Sequence, residues 1–106
     1  MPKYLIHASY TAEGLKGLQK DKASGRQQAV RQVLESIGGR LESMYYALGE
    51  DDVLIIADLP DNIAVSAVSL SVSATGFVRT RTTALLTIEE TDRALAASVN
   101  YRRPGG

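Results

Sequence analysis

The chain has 106 residues, 44% of them hydrophobic, and its twelve Lys and Arg balance twelve Asp and Glu. That length corresponds to one domain with a small core, and a formal charge of zero gives no pull toward nucleic acid or an anionic membrane. With no cysteine and one histidine, disulfides, thiolate metal sites, a cysteine nucleophile and a two-His metal site within one chain are excluded.

The opening MPKYLIHASY is too short and too polar for a signal peptide, and no apolar run approaches a membrane span. The expected setting is therefore soluble and cytoplasmic. From Lys3 to Ser9, Tyr4, Ile6 and Ala8 alternate with Leu5, His7 and Ser9, which describes a short strand with two partly apolar faces. Thr11 can cap a helix starting in TAEGLKGLQKD, although Gly14 and Gly17 each cost it about 1 kcal/mol relative to alanine. A second helix start is expected at Ser24, where Gln27 completes the spacing of a capping box. Beyond it Ala29, Val30, Val33, Leu34 and Ile37 share one helical face until Gly38-Gly39 ends the run. This region reads as a helix broken in two.

Arg40 to Leu48 and Asp52 to Leu59 read as a hairpin turning at Gly49-Glu50-Asp51. The second strand is almost uniformly apolar, as a strand covered on both faces is. Pro60-Asp61-Asn62 stops it and offers a helix cap. The next segment, IAVSAVSLSVSAT, is ambiguous: Val68 to Ala74 alternates like a strand, while Ile63, Ala67, Leu70 and Ala74 share a helical face. The Asp61 cap and the length favour a helix, closed by Gly76. Phe77 to Leu86 is a threonine-rich strand with Arg79 and Arg81 on one face and Val78, Thr80, Thr82 and Ala84 on the other. Thr87 and Glu90 form a capping box that opens a C-terminal helix through Leu95 and Val99, and residues 101–106 are a loose tail.

The order β-α-β-β-α-β plus a terminal helix is the split βαβ, or ferredoxin-like, α+β pattern. Right-handed crossovers then give a four-stranded antiparallel sheet in the order 4-1-3-2. Both long helices lie on one face, and the open face carries apolar residues such as Leu54 and Ile56. Such a patch calls for a partner, so a homo-oligomer, in the simplest case a two-fold dimer, is expected.

The segments PKYLIHASYTAEGLKGL, YYALGEDDVLIIADLPD and GFVRTRTTALLT, in this order, resemble the GYD domain family over nearly the whole chain. The family takes its name from a Gly-x-Tyr-Asp hairpin turn. Gly49 and Asp52 match it here, while Asp51 stands where tyrosine is usual. The resemblance implies a ferredoxin-like fold of the dimeric α/β-barrel type, in which two sheets pack through their open faces. It implies no activity and no catalytic residues.

His7 is the one side chain whose ordinary titration lies near neutrality, which makes it the candidate for proton transfer. The plainer alternative is a sheet or interface residue with both ring nitrogens satisfied. Arg79 and Arg81, two apart on a strand, point the same way and could clamp a carboxylate or phosphate. Equally, they could form salt bridges to residues such as Glu42 or Asp58. Tyr46, placed on the open face if it shares the side of Glu42, would add an aromatic wall. Glu50, Asp51 and Asp52 read as a solvated turn, because three consecutive carboxylates cannot converge on a metal and no Asp-x-Asp-x-Asp-Gly loop is present. The glycines fit neither a P-loop nor a GxGxxG turn, and there is no Gly-x-Ser-x-Gly elbow, so no cofactor or metal is expected. Two functional classes follow. One is a homo-oligomer that binds a small ligand at the sheet face. The other is a cofactor-independent enzyme of isomerase or monooxygenase type, which rests on fold analogy.

Overall fold

Three side-chain caps punctuate the chain. The Thr11, Asp61 and Thr87 oxygens accept from the backbone N–H of Gly14, Ala64 and Glu90 at 3.3, 2.8 and 3.0 Å, each satisfying a donor that a helix start otherwise leaves open. In the computed structural model, which describes residues 1–106, they delimit β1 (Lys3–Tyr10), α1 (Ala12–Ser36), β2 (Arg40–Tyr46), β3 (Val53–Asp58), α2 (Asn62–Ser73), β4 (Val78–Leu85) and α3 (Ile88–Ala96). The capping box at Thr87 is complete, with the Thr87 N–H donating to Glu90 Oε1 at 2.8 Å. The ambiguous serine-rich segment is the helix α2, as its Asp61 cap indicated.

The strands form one antiparallel sheet in the order β2-β3-β1-β4, the expected ferredoxin-like order read from its other edge. Alternation decides burial. Tyr4, Ile6 and Ala8 on β1 and Val53, Ile55 and Ala57 on β3 face the helices and are buried. Leu34 of α1 and Ala64 and Val65 of α2 cover them, and Leu59 lies just past β3. Full burial of a leucine such as Leu34 or Leu59 stabilises by about 1.5–3 kcal/mol relative to exposure. The buried stripe of α2 is Ala64 and Val65 with the half-buried Val68 and Val72, whereas Ile63 and Leu70 point to solvent.

The break in α1 falls at Lys22, whose φ of 65° and ψ of 166° are non-helical, two residues before the expected restart at Ser24. Ser24 is already inside the helical run, so its hydroxyl caps nothing. Gly14, unfavourable for a helix by propensity, is required by packing. A Cβ there would run into the Phe77 carbonyl oxygen, which accepts from the Thr11 N–H at 2.9 Å. Gly38, with φ of 80°, makes the left-handed turn that closes α1.

The hairpin strands are shorter than the sequence suggests, because residues 47–52 leave the ladder and fold against β1. The Asp52 N–H donates to the Ala8 carbonyl at 3.0 Å, and the Ala47 N–H to the Asp52 carbonyl at 2.8 Å. At the far end α3 buries none of its residues. It stretches the molecule to 57 Å and the radius of gyration to 16.9 Å, against about 13 Å for a compact chain of this length.

The two glycines of the first helical stretch make opposite predictions. Nothing lies within 4 Å of a Cβ placed on Gly17, so Gly17→Ala should raise unfolding stability by about 0.5–1 kcal/mol. Gly14→Ala should lower it despite the same gain in propensity. Urea unfolding of both variants checks the pair.

Candidate functional site

On the open face the odd residues of β1 meet their neighbours in register. Leu5 lies between Ile56 and Thr83, His7 between Leu54 and Arg81, and Ser9 opposite Arg79. Directly opposed side chains on one face are about 4.5–5.5 Å apart at Cβ, so the ladder brings His7 and Arg81 together. The apolar centre of the face is Leu5, Leu54 and Ile56, all half-buried.

The residue that organises the site comes from the hairpin loop. Asp51 Oδ2 stands 2.6 Å from Arg81 Nη2 and 3.1 Å from His7 Nδ1, and its Oδ1 accepts from Ser9 Oγ at 3.2 Å. The next residue anchors the loop from behind, its Oδ2 accepting from the Tyr10 N–H at 2.9 Å. The loop is thus no solvated turn. Asp51 and Asp52 straddle the end of β1, one carboxylate on the open face and one on the strand's backbone. The Asp51 side chain is only 15% exposed and that of His7 18%. The Arg81 hydrogen bond, followed by that of Ser9, holds the Asp51 carboxyl below its ordinary 3.8 in spite of desolvation. The same contact pushes Arg81 upward.

A nitrogen 3.1 Å from a carboxylate is a donor, so in the neutral form of His7 the proton sits on Nδ1 and Nε2 is the acceptor. The 3.5 Å approach of Arg81 Nη2 to the same nitrogen then sets two donors side by side against one carboxylate and is no hydrogen bond between them. A carboxylate that fixes the tautomer and orientation of an imidazole in this way prepares it as a base.

Four residues were singled out from the sequence, and three of them share this face. His7 and Arg81 meet through Asp51, and Arg79 lies beside them, opposite Ser9, exposed and with no hydrogen bond or ion pair in the chain. The partners suggested for the arginines are taken by others. Asp58, 5% exposed, binds Lys3 at 2.8 Å and Arg40 at 3.1 Å, while Glu42 binds Lys3 at 2.7 Å. Tyr46 is on the opposite face, a correction to its expected placement. A β-bulge between Leu41 and Ser43 resets the alternation after Glu42. Tyr46 therefore opposes Val53 on the helix side, where its hydroxyl lies 3.1 Å from that of Tyr10. The aromatic on the open face is Tyr45, opposite Leu54 and 69% exposed.

Asp51 is the residue that sequence reasoning set aside. Its one signal was its position in the turn, where the family pattern has tyrosine. No group of three His, Cys, Asp or Glu side chains gathers in a way that could hold a metal.

Acid should expose the two carboxylate clusters. Asp58, like Asp51, is held below 3.8, mainly by its hydrogen bond from Lys3. A depressed carboxylate contributes stability above its unfolded value and loses it as pH falls through its folded value. Unfolding free energy should therefore hold steady down to about pH 4 and decline below it. Asp58→Asn should cost about 1–3 kcal/mol at neutral pH and, with Asp51→Asn, flatten the acid decline. Urea titrations across that range measure both effects.

No curated protein and no solved structure matches the chain. The GYD domain model matches residues 4–95, a span that takes in all four strands but for Lys3, the hairpin loop and the His7–Asp51–Arg81 cluster. This chain belongs to the GYD domain family.

Proposed function

We propose that this chain works as a homo-oligomer, in the simplest case a two-fold dimer whose sheets face one another, and holds a small polar ligand between them. The observation that carries this reading is the make-up of the open face. Leu5, Leu54 and Ile56 form an apolar centre with no helix over it, and ordered charged groups stand at both ends. An apolar sheet face of this kind usually marks an interaction surface, and a second copy supplies a matching apolar centre by symmetry. The terminal helix α3 adds support, since Ile88 and Leu95 are 81% and 79% exposed and find nothing to pack on within their own chain. Ligand recognition falls to the groups left free at the site: His7 Nε2, the Arg79 guanidinium and the Tyr45 ring. Arg81 already has an internal carboxylate, so Arg79 is the fork available to an anionic ligand.

One observation favours the enzymatic reading as well. The Asp51–His7 pair presents Nε2 as an oriented base, which suits cofactor-independent proton abstraction next to a carbonyl. Loss of deuterium wash-in at C3 of 2-oxobutanoate on changing His7→Gln would support it, and no exchange above buffer would remove it.

Assembly is checked first. Light scattering at micromolar concentration should give a multiple of the chain mass, and Ile56→Asp should return the monomer, because an interface there would bury an unpaired charge. A wild-type monomer would refute the reading. His7→Gln should leave the mass unchanged and the melting temperature nearly so. A large fall in melting temperature would make His7 a packing residue.

A further inference from the structure

The two long helices leave a gap between them on the covered side of the sheet, well away from the open face. A chamber of about 80 Å³ lies there, walled by Ala29, Val30 and Val33 of α1 and Val68 and Val72 of α2, with Ile55 in its floor. Thirteen of its fifteen lining residues are hydrophobic, the exceptions being Arg26 and Thr80. The Thr80 hydroxyl is taken by the hydroxyl of Ser69. Arg26 is different. Its side chain is 31% exposed, it makes no hydrogen bond within the chain, and its single ion pair, to Asp21, is long at 3.8 Å. A guanidinium with five donors, about two-thirds withdrawn from water and held only by that long contact to Asp21, has donors to offer an incoming anion.

A second, wider cavity of about 350 Å³ adjoins the chamber, and Tyr10, Arg26, Val72 and Val78 line both. Arg26 therefore stands where an outer vestibule meets an apolar interior. Tyr10, which lines both cavities with Arg26, has its hydroxyl 3.1 Å from that of Tyr46. One O–H is used between the pair, which leaves the other free to donate to an incoming acceptor. The break at Lys22 shapes the corner, since Gly14, Gly17 and Asp21 reach the vestibule from before it and Arg26 from after it.

From these observations we infer a second binding site, for a short-chain aliphatic monocarboxylate, with its tail in the chamber and its carboxylate on Arg26 and the free tyrosine hydroxyl. The size follows from the volume. A dry apolar cavity of about 150 Å³ takes up benzene, and the chamber, at about 80 Å³, has room for a tail of a few carbons. The sign of the head group follows from Arg26. Asp21 is the competing anion, already beyond hydrogen-bond distance and 47% exposed, so it can turn to solvent when a ligand carboxylate arrives. An amine would meet the guanidinium as a like charge, and an alcohol would use the tyrosine alone.

The test is a titration of the full chain with pentanoate, pentan-1-ol and pentylamine, followed by amide chemical shifts. Pentanoate should give saturable shifts centred on Arg26, Val30, Val68 and Val72 and bind more tightly than pentan-1-ol, with pentylamine weakest. Arg26→Gln should weaken pentanoate about tenfold, the worth of a hydrogen bond to a charged group, and leave pentan-1-ol unchanged. Asp21→Asn should tighten pentanoate. Arg26 and Asp21 are both partly exposed at the mouth, so neither change empties the core. The proposal is overturned if pentanoate gives no saturable shifts, if its shifts map to the His7 face, if acid and alcohol bind equally, or if Arg26→Gln leaves pentanoate binding intact.

Discussion

The sheet has two faces, and α1 and α2 both pack on the same one, so the parity of each strand residue decides its surroundings. On β1, Tyr4, Ile6 and Ala8 go into the core while Leu5, His7 and Ser9 remain on a face that no element of the chain covers. The central position of β1 extends this rule to both sides, because its odd residues are in register with Leu54 and Ile56 on β3 and with Arg79 and Arg81 on β4. Everything chemically distinctive about the open face follows from that register. A one-residue slip would bury His7 and Arg81 beneath the helices, and burying an unpaired charge costs far more than the fold could absorb.

Within this frame Asp51 links three segments distant in sequence. Its carboxylate closes the hairpin loop onto β1 through Ser9 and His7 and onto the edge strand β4 through Arg81. The contact with Arg81 is the shortest of the set, and hydrogen bonds to the charged form outweigh desolvation in setting the protonation of Asp51. The outcome is a charged cluster with its internal bonds satisfied, next to an apolar centre that has no covering. Lys3, Arg40, Glu42 and Asp58 form the counterpart at the other end of the face. The two clusters flank the apolar residues and leave few charges uncompensated there, Arg79 being the exception. Apart from Arg79, the charges on this face are therefore neutralised within the chain.

The covered face has its own irregularity. The helices do not meet over the middle of the sheet, and the space they leave is lined almost wholly by aliphatic side chains. Lys22, held at a positive φ that only glycine adopts without strain, bends α1 beside that space. Gly14 lets the first stretch of α1 approach the strand that follows α2 more closely than any side chain would allow. Both features run against local helix preference; Gly14 lines the vestibule, and Lys22 lies between Asp21 and Arg26, which line it too.

How far the sequence could be read depends on the range of the physics involved. The element order, the caps at Thr11, Asp61 and Thr87, and the alternation along β1 and β4 rest on interactions within about four residues, and they are legible in the string of letters. So is the strand order, since right-handed crossovers leave little choice once the elements are known. Strand parity also placed His7, Arg79 and Arg81 on one side. It failed for Tyr46, because a single extra residue at the bulge reverses every side chain beyond it and leaves no mark in composition or periodicity. It also missed the partners of Asp51, which lie 30 and 42 residues away at Arg81 and Ser9. An aspartate in a Gly-Glu-Asp-Asp turn looks like any solvated loop residue. Its pairing with His7 and Arg81 exists only because the folded sheet brings three strand ends to one point, and that proximity is a property of the tertiary structure alone.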